Sequence, residues 1–174
     1  MNKAQVAALY LDLEADEIEL WLIGGWGVDA LLGRQTREHH DLDVLVELAS
    51  LERFRQRLHD LGFEFQYVWD DETWWVHDDA WSGSDDQPTA FVYAHRDGRE
   101  IDVHMIRREH DGTVTTLWTA PHQLTADGLN GSGVVGAQPV RCLTAEMQRQ
   151  AHSGYELPPH QVADLQLLAK ASDG

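Results

Sequence analysis

Hydrophobic positions along this chain alternate between two periods. Val6, Leu9, Tyr10 and Leu13 recur at helical spacing within Gln5 to Leu13, so that segment is expected to be a packing helix. Trp21-Leu22-Ile23 reads as a short strand, Gly24-Gly25 as a tight turn, and Trp26 to Leu32 as a helix stopped by Gly33. Leu42, Val44, Leu45 and Val46 form an apolar run too short for a buried helix and long enough for a central strand. Ser50 is placed to cap a helix whose stripe is Leu51, Phe54, Leu58 and Leu61, closed by Gly62. Phe63, Phe65 and Tyr67 then alternate with their neighbours as a strand does.

Further along, Trp69 to Pro88 is dense in both aromatics and acids, and within it Trp74 and Trp75 either start a strand or line a pocket. Thr89 to His95 and Glu100 to Ile106 predict a hairpin closed by Asp97-Gly98. Arg107 to Gln138 carries Gly128, Gly131, Gly133 and Gly136 with little periodicity; it reads as a loop-rich excursion with a short strand near Val114 to Leu117. Val140 to Leu143 predicts a late strand, Thr144 caps a helix reaching His152, and Pro158-Pro159 open a last helix using Val162, Leu165 and Leu168. No internal repeat or long linker divides the chain. A single domain over 1–174 is expected, with the loop-rich segment and short C-terminal helices from about 107 onward appended to its core.

Composition narrows the function. At 174 residues and 43% hydrophobic content, with seven Trp, the chain can bury a real core. Thirty acidic residues against thirteen basic give a formal charge of −17, which disfavours nucleic acid as a partner and would draw in a small cation. Cys142 is the only cysteine, so no intramolecular disulfide forms. The sequence has no apolar run approaching the ~18 residues of a membrane span and no signal-peptide pattern, so no membrane partner and a cytoplasmic location are expected.

The candidate chemistry lies in the second strand. Asp41 and Asp43, two apart, aim their carboxylates from one face. Burying two like charges side by side is costly without a cation, and two hard oxygen ligands suit Mg²⁺ with phosphate oxygens. Asp102 lies between apolar neighbours on a later strand, sharing a face with Glu100 and His104; if that strand pairs beside the first, three acids converge. Gly24 and Gly25 lead into a helix whose free N–H groups make a phosphate site, with Arg34 or Arg37 as counter-charge. His39 is expected to hydrogen-bond near the phosphates or to orient Asp41. Such a set holds two Mg²⁺ ions on Asp41, Asp43 and Asp102 for in-line attack of a hydroxyl on the α-phosphorus, with Asp102 completing one ion's shell or accepting the hydroxyl's proton. Trp75 and Glu100 are candidate contacts for a cationic, sugar-like acceptor.

Gly24-Gly25-Trp26-Gly27-Val28-Asp29, Arg37-Glu38-His39, Asp41-Leu42-Asp43, Ile101-Asp102-Val103-His104 and His152-Ser153-Gly154-Tyr155 together resemble the small lincosamide nucleotidyltransferases of antibiotic resistance and their cousins, the aminoglycoside 2''-nucleotidyltransferases. The resemblance runs from the first strand to the last helix. It implies a polymerase-β-like α/β (α+β) nucleotidyltransferase fold with a mixed central sheet flanked by helices. It also implies Mg²⁺ dependence and transfer of a nucleoside monophosphate, usually from ATP but with another nucleoside triphosphate possible, to an antibiotic hydroxyl. Tyr155 becomes a drug contact by family position. Ile23 before the glycines, and Val140-Arg141-Cys142, are closer to the aminoglycoside type. The competing readings are the same site acting on a protein hydroxyl, and a nucleotide-binding protein without turnover. A homodimer could complete the drug pocket.

Overall fold

The computed structural model describes residues 1–69, 74–75, 90–117, 123–153 and 156–172. Its centre is a mixed sheet built from β1 (Leu20–Leu22), β2 (Asp41–Glu47), β3 (Phe63–Trp69), β4 (Trp74–Trp75), β5 (Ala90–His95), β6 (Glu100–Arg108), β7 (Val114–Thr116), β8 (Gly131–Val135) and β9 (Gln138–Cys142). The spatial order is β4-β3-β5-β6-β2-β1-β9-β8, with β7 on the far end of β6. Two pairs are parallel, β2 with β6 and β1 with β9; the others are antiparallel. Among the described residues five α-helices accompany the sheet: α1 (Lys3–Ala15), α2 (Gly24–Leu32), α3 (Leu51–Asp60), α4 (Ala145–Ala151) and α5 (Pro159–Ser172).

The two faces of the sheet carry different cores. Leu42, Val44 and Val46 of β2 and Ile101, Val103 and Met105 of β6 pack with Val6, Leu9 and Leu13 of α1 and Leu51, Phe54 and Leu58 of α3. On the other face Trp21, Leu45 and Ile106 pack with Leu124, Leu129, Leu143 and Met147. The acids share this second face, at the end where β2 and β6 begin.

Several sequence expectations shift. The first helix starts earlier, because Asn2 accepts from the Ala4 and Gln5 amides and Gln5 returns the bond to the Asn2 amide, a reciprocal cap the apolar stripe does not show. Ile23 leaves the strand and becomes the N-cap of α2, so Gly24 and Gly25 are its first turn and not a separate one. Ser50 sits before α3 without a side-chain cap, since the preceding 3-10 turn Leu48–Ser50 runs directly into the helix. Thr144 caps α4 as expected, accepting from the Met147 amide at 3.3 Å.

The largest correction is β8. Its glycines read as loop, yet they allow close packing: a Cβ at Gly133 would strike the Ala30 backbone of α2, and one at Gly131 the Leu143 backbone. β8 thereby closes the sheet edge beneath α2 in a hairpin with β9.

Candidate active site

Strand register brings the acids together. Asp43 is the direct partner of Asp102, Asp41 of Glu100 and Leu45 of His104. Partners in adjacent strands project from the same face, so Asp41, Asp43 and Asp102 occupy one corner. β1 runs antiparallel beside β2: past its end the Ile23 amide donates to the Asp43 carbonyl at 3.0 Å, and the chain turns into α2 at that residue. Gly24 has φ +57, and any Cβ there would collide with Asp43 Oδ2. Only glycine lets the backbone adopt this conformation and pass so near the carboxylate. A Cβ on Gly25 would strike His39 Nδ1 and come within 2.6 Å of Arg37 Nη2. The first turn of α2, with its unpaired N–H groups, is thus framed by Asp43, His39 and Arg37.

Burial, then the charge of Asp41, then that of Asp102 push the Asp43 carboxyl well above its ordinary range, while Arg37 pulls it back. Concentrated negative charge beside an N-terminal helix turn would suit a divalent cation together with phosphate. Among the described residues no cluster of three or more His, Cys, Asp or Glu forms a ready-made metal cage. Asp41 and Asp43 could hold Mg²⁺ only as part of its shell, with water and phosphate oxygens completing it.

The surrounding groups are tightly held. His39 Nε2 lies 2.6 Å from Asp29 Oδ2, both side chains only 2% exposed, and Asp29 Oδ1 accepts from the Thr36 amide at 3.0 Å and its hydroxyl at 2.5 Å. Its Nδ1 edge faces Gly25. Arg37 is clamped by Asp164 of α5, with Nη2 at 2.9 Å and Nε at 3.2 Å from Oδ2. His104 Nε2 stands 3.5 Å from Asp102 Oδ1, but burial lowers the imidazole to about 4, so it is neutral near pH 7 and the two do not form an ion pair.

A cleft of about 580 Å³ opens over this corner; Gly24, Gly25, Arg37, His39, Asp41 and Asp43 all line it. Asp102 adjoins it through its register with Asp43. Of the two candidate counter-charges Arg37 reaches the cleft, while Arg34 is exposed beyond the end of α2. Glu100 is at the rim, 3.2 Å from His40 Nδ1. The Trp75 side chain and Tyr155 lie outside the described residues.

A family model described as aminoglycoside-2''-adenylyltransferase matches residues 5–168. The chain belongs to this family. It is 28% identical over 156 residues to a lincosamide resistance protein of Staphylococcus haemolyticus, spanning 84% of this chain and 82% of that one. A shorter stretch, 47 residues or 25% of this chain and 27% of the relative, is 47% identical to the 2''-aminoglycoside nucleotidyltransferase of Escherichia coli. Among solved structures, lincomycin-bound lincosamide antibiotic adenylyltransferase LnuA aligns with a TM-score of 0.75 at 26% identity, over 97% of this chain and 96% of that one. ANT(2'')-Ia in complex with adenylyl-2''-tobramycin aligns with a TM-score of 0.70 at 20% identity, over 99% and 89%, a likeness of fold alone. This family member is an antibiotic nucleotidyltransferase with the polymerase-β-like fold expected from its motifs.

Some residues at the site were not assigned roles from sequence. Asp29 had a signal, an acid within the apolar Trp26 to Leu32 helix. Tyr67 had none: register through Val92 places it on the acid face level with Asp102, and its phenol is raised by burial, then by Glu100, Asp102 and Asp41. Asp164, remote in sequence, is recognisable only from its clamp on Arg37.

Proposed function

We propose that this protein transfers the adenylyl group of ATP to a hydroxyl of a lincosamide antibiotic, releasing pyrophosphate, with Mg²⁺ held by Asp41 and Asp43 and adjoined by Asp102. The observation carrying this reading is the register of Asp43 against Asp102 beneath the glycine turn of α2. When bound, Mg²⁺ supplies neutralisation of the triphosphate's charge at that corner.

The chain's own residues divide the remaining work. Amides of Gly24 and Gly25 hold phosphate oxygens, and Arg37 and His39 face the departing pyrophosphate. Asp102 takes the proton of the acceptor hydroxyl as its oxygen bonds to the α-phosphorus and the bond from that phosphorus to pyrophosphate breaks. The neutral His104 beside it adds no positive charge. Tyr67 and Glu100 border the acceptor side.

The lincosamide assignment is supported by the extent of likeness to the lincosamide resistance protein and to lincomycin-bound LnuA. A second reading, transfer to the 2''-hydroxyl of an aminoglycoside, is favoured by the family description, the 47% identical stretch and the charge of −17, which attracts polycations. Pyrophosphate release from Mg²⁺-ATP with lincomycin, clindamycin, kanamycin and tobramycin separates them. Release with the first two, reduced by at least ~10²-fold in Asp41→Ala, is expected. Release with only the last two selects the second reading, and silence with all four defeats both.

A further inference from the structure

The cleft has apolar lining as well as carboxylates. Ile23, Leu124, Met147 and Ala151 form it, and Leu124 and Met147 belong to the buried cluster of that face. His152, at the C-cap of α4, lines this same wall and is 5% exposed. Its Nδ1 lies 2.7 Å from the Gln148 carbonyl oxygen. A carbonyl only accepts, so Nδ1 carries the hydrogen, and Nε2 of the neutral ring keeps its lone pair. Among the described residues nothing hydrogen-bonds that lone pair. Gln148 is itself fixed: it is fully buried, and a Cβ on Gly27 would collide with its side-chain amide, so α4 is seated directly on α2.

We infer that this wall receives the nucleobase of the donor nucleotide and that His152 Nε2 selects adenine over guanine. The inference rests on the nucleotidyl-transfer reading above. Phosphates at the first turn of α2 fix one end of the nucleotide, and Asp102 assigns the acceptor to the side of β6 and β5, which leaves the α4 side for the base. A purine has apolar faces and a hydrogen-bonding edge, matching apolar lining with polar groups beside it: His152 at the end of α4, and His160 and Gln161 of α5. Adenine carries an exocyclic amino donor where guanine carries a carbonyl acceptor. The Nε2 lone pair accepts from the first and opposes the second. Switching the ring tautomer would set an Nδ1 lone pair against the Gln148 carbonyl, so the preference is built into the helix end.

Calorimetric dissociation constants for Mg²⁺-ATP, Mg²⁺-GTP and the Mg²⁺ triphosphate of purine riboside, which lacks the exocyclic amine, test this without any antibiotic present. The wild type is expected to bind ATP roughly 10- to 100-fold tighter than either analogue. His152→Leu should lose about tenfold for ATP while the analogues hold or improve, erasing the ratio. His152→Gln, whose amide offers an acceptor or a donor, should retain ATP within about threefold and gain GTP. Equal binding of ATP and purine riboside triphosphate by the wild type overturns the inference, and that comparison needs no variant to fold. So does equal weakening of all three nucleotides in His152→Leu. Selective binding without pyrophosphate release to any drug would sink the catalytic reading alone, whereas release without base discrimination would sink this inference alone.

Discussion

One strand pair, β2 with β6, shows two opposite uses of the same backbone. On one face Leu42, Val44 and Val46 meet Ile101, Val103 and Met105, each no more than 1% exposed. On the other, Asp41 and Asp43 meet Glu100 and Asp102 at positions only one residue away. Because side chains alternate along a strand, the leading half of each strand gives burial to one parity and acids to the other, while further along the acid parity Leu45 and Ile106 enter the second core. The apolar residues of both parities stabilise the domain, and the clustered acids work against it, as the direction of the Asp43 shift indicates.

The comparison breaks most sharply at Asp43. Its folded carboxyl titrates above its unfolded value, so ionisation near neutral pH opposes folding, and the stability present at low pH is lost as pH rises. Asp43→Asn should therefore lower pyrophosphate release by about 10³-fold while leaving the thermal midpoint of the metal-free protein unchanged or higher, as read by calorimetry. A midpoint fall comparable to a core truncation would remove the claim that this face is built against stability.

The reverse pattern is expected on the other parity. Leu42→Ala should cost about 2 to 5 kcal/mol by urea unfolding, with the specific activity of the folded fraction kept within a few-fold at low temperature. Loss of turnover in protein that remains folded would show that the two faces are not separable.

A smaller effect sharpens the contrast from the apolar side. Cys142 belongs to that core, and burial pushes its thiol from 9.0 up to about 12. The unfolded chain ionises first, so stability is intact below pH 9 and falls above it, by at most about 1.4 kcal/mol per pH unit. Wild type should lose more stability than Cys142→Ala between pH 9 and pH 10.5 in matched urea titrations; parallel slopes would mean the thiol is accessible in the native state.

Parity also explains what was legible beforehand. Asp41, Asp43 and Asp102 each stood out as acids within apolar strand patterns, and a local rule is enough to set their faces. The glycines of β8 misled because a local rule reads glycine as loop, whereas here Gly131 and Gly133 are needed where a strand touches Leu143 and Ala30, contacts invisible before the hairpin docks. Asp164 and Tyr67 are silent for the same reason: each acquires its place from a partner far along the chain, Arg37 for one and the acid face of β6 for the other.

By itself, then, the sequence determined most of the strands and helices, the strand faces on which Asp41, Asp43 and Asp102 lie and, through motif order, the nucleotidyltransferase family. Only the tertiary structure decided that β6 lies parallel to β2 in the register joining Asp102 to Asp43, that Arg37 and not Arg34 enters the cleft, and that His152, held through Nδ1 by the Gln148 carbonyl, lines it. Side-chain direction follows from local periodicity, which neighbouring residues encode. Register, clamps and pocket walls come from contacts between segments distant in the chain, whose pairing is selected by the packing of the whole core.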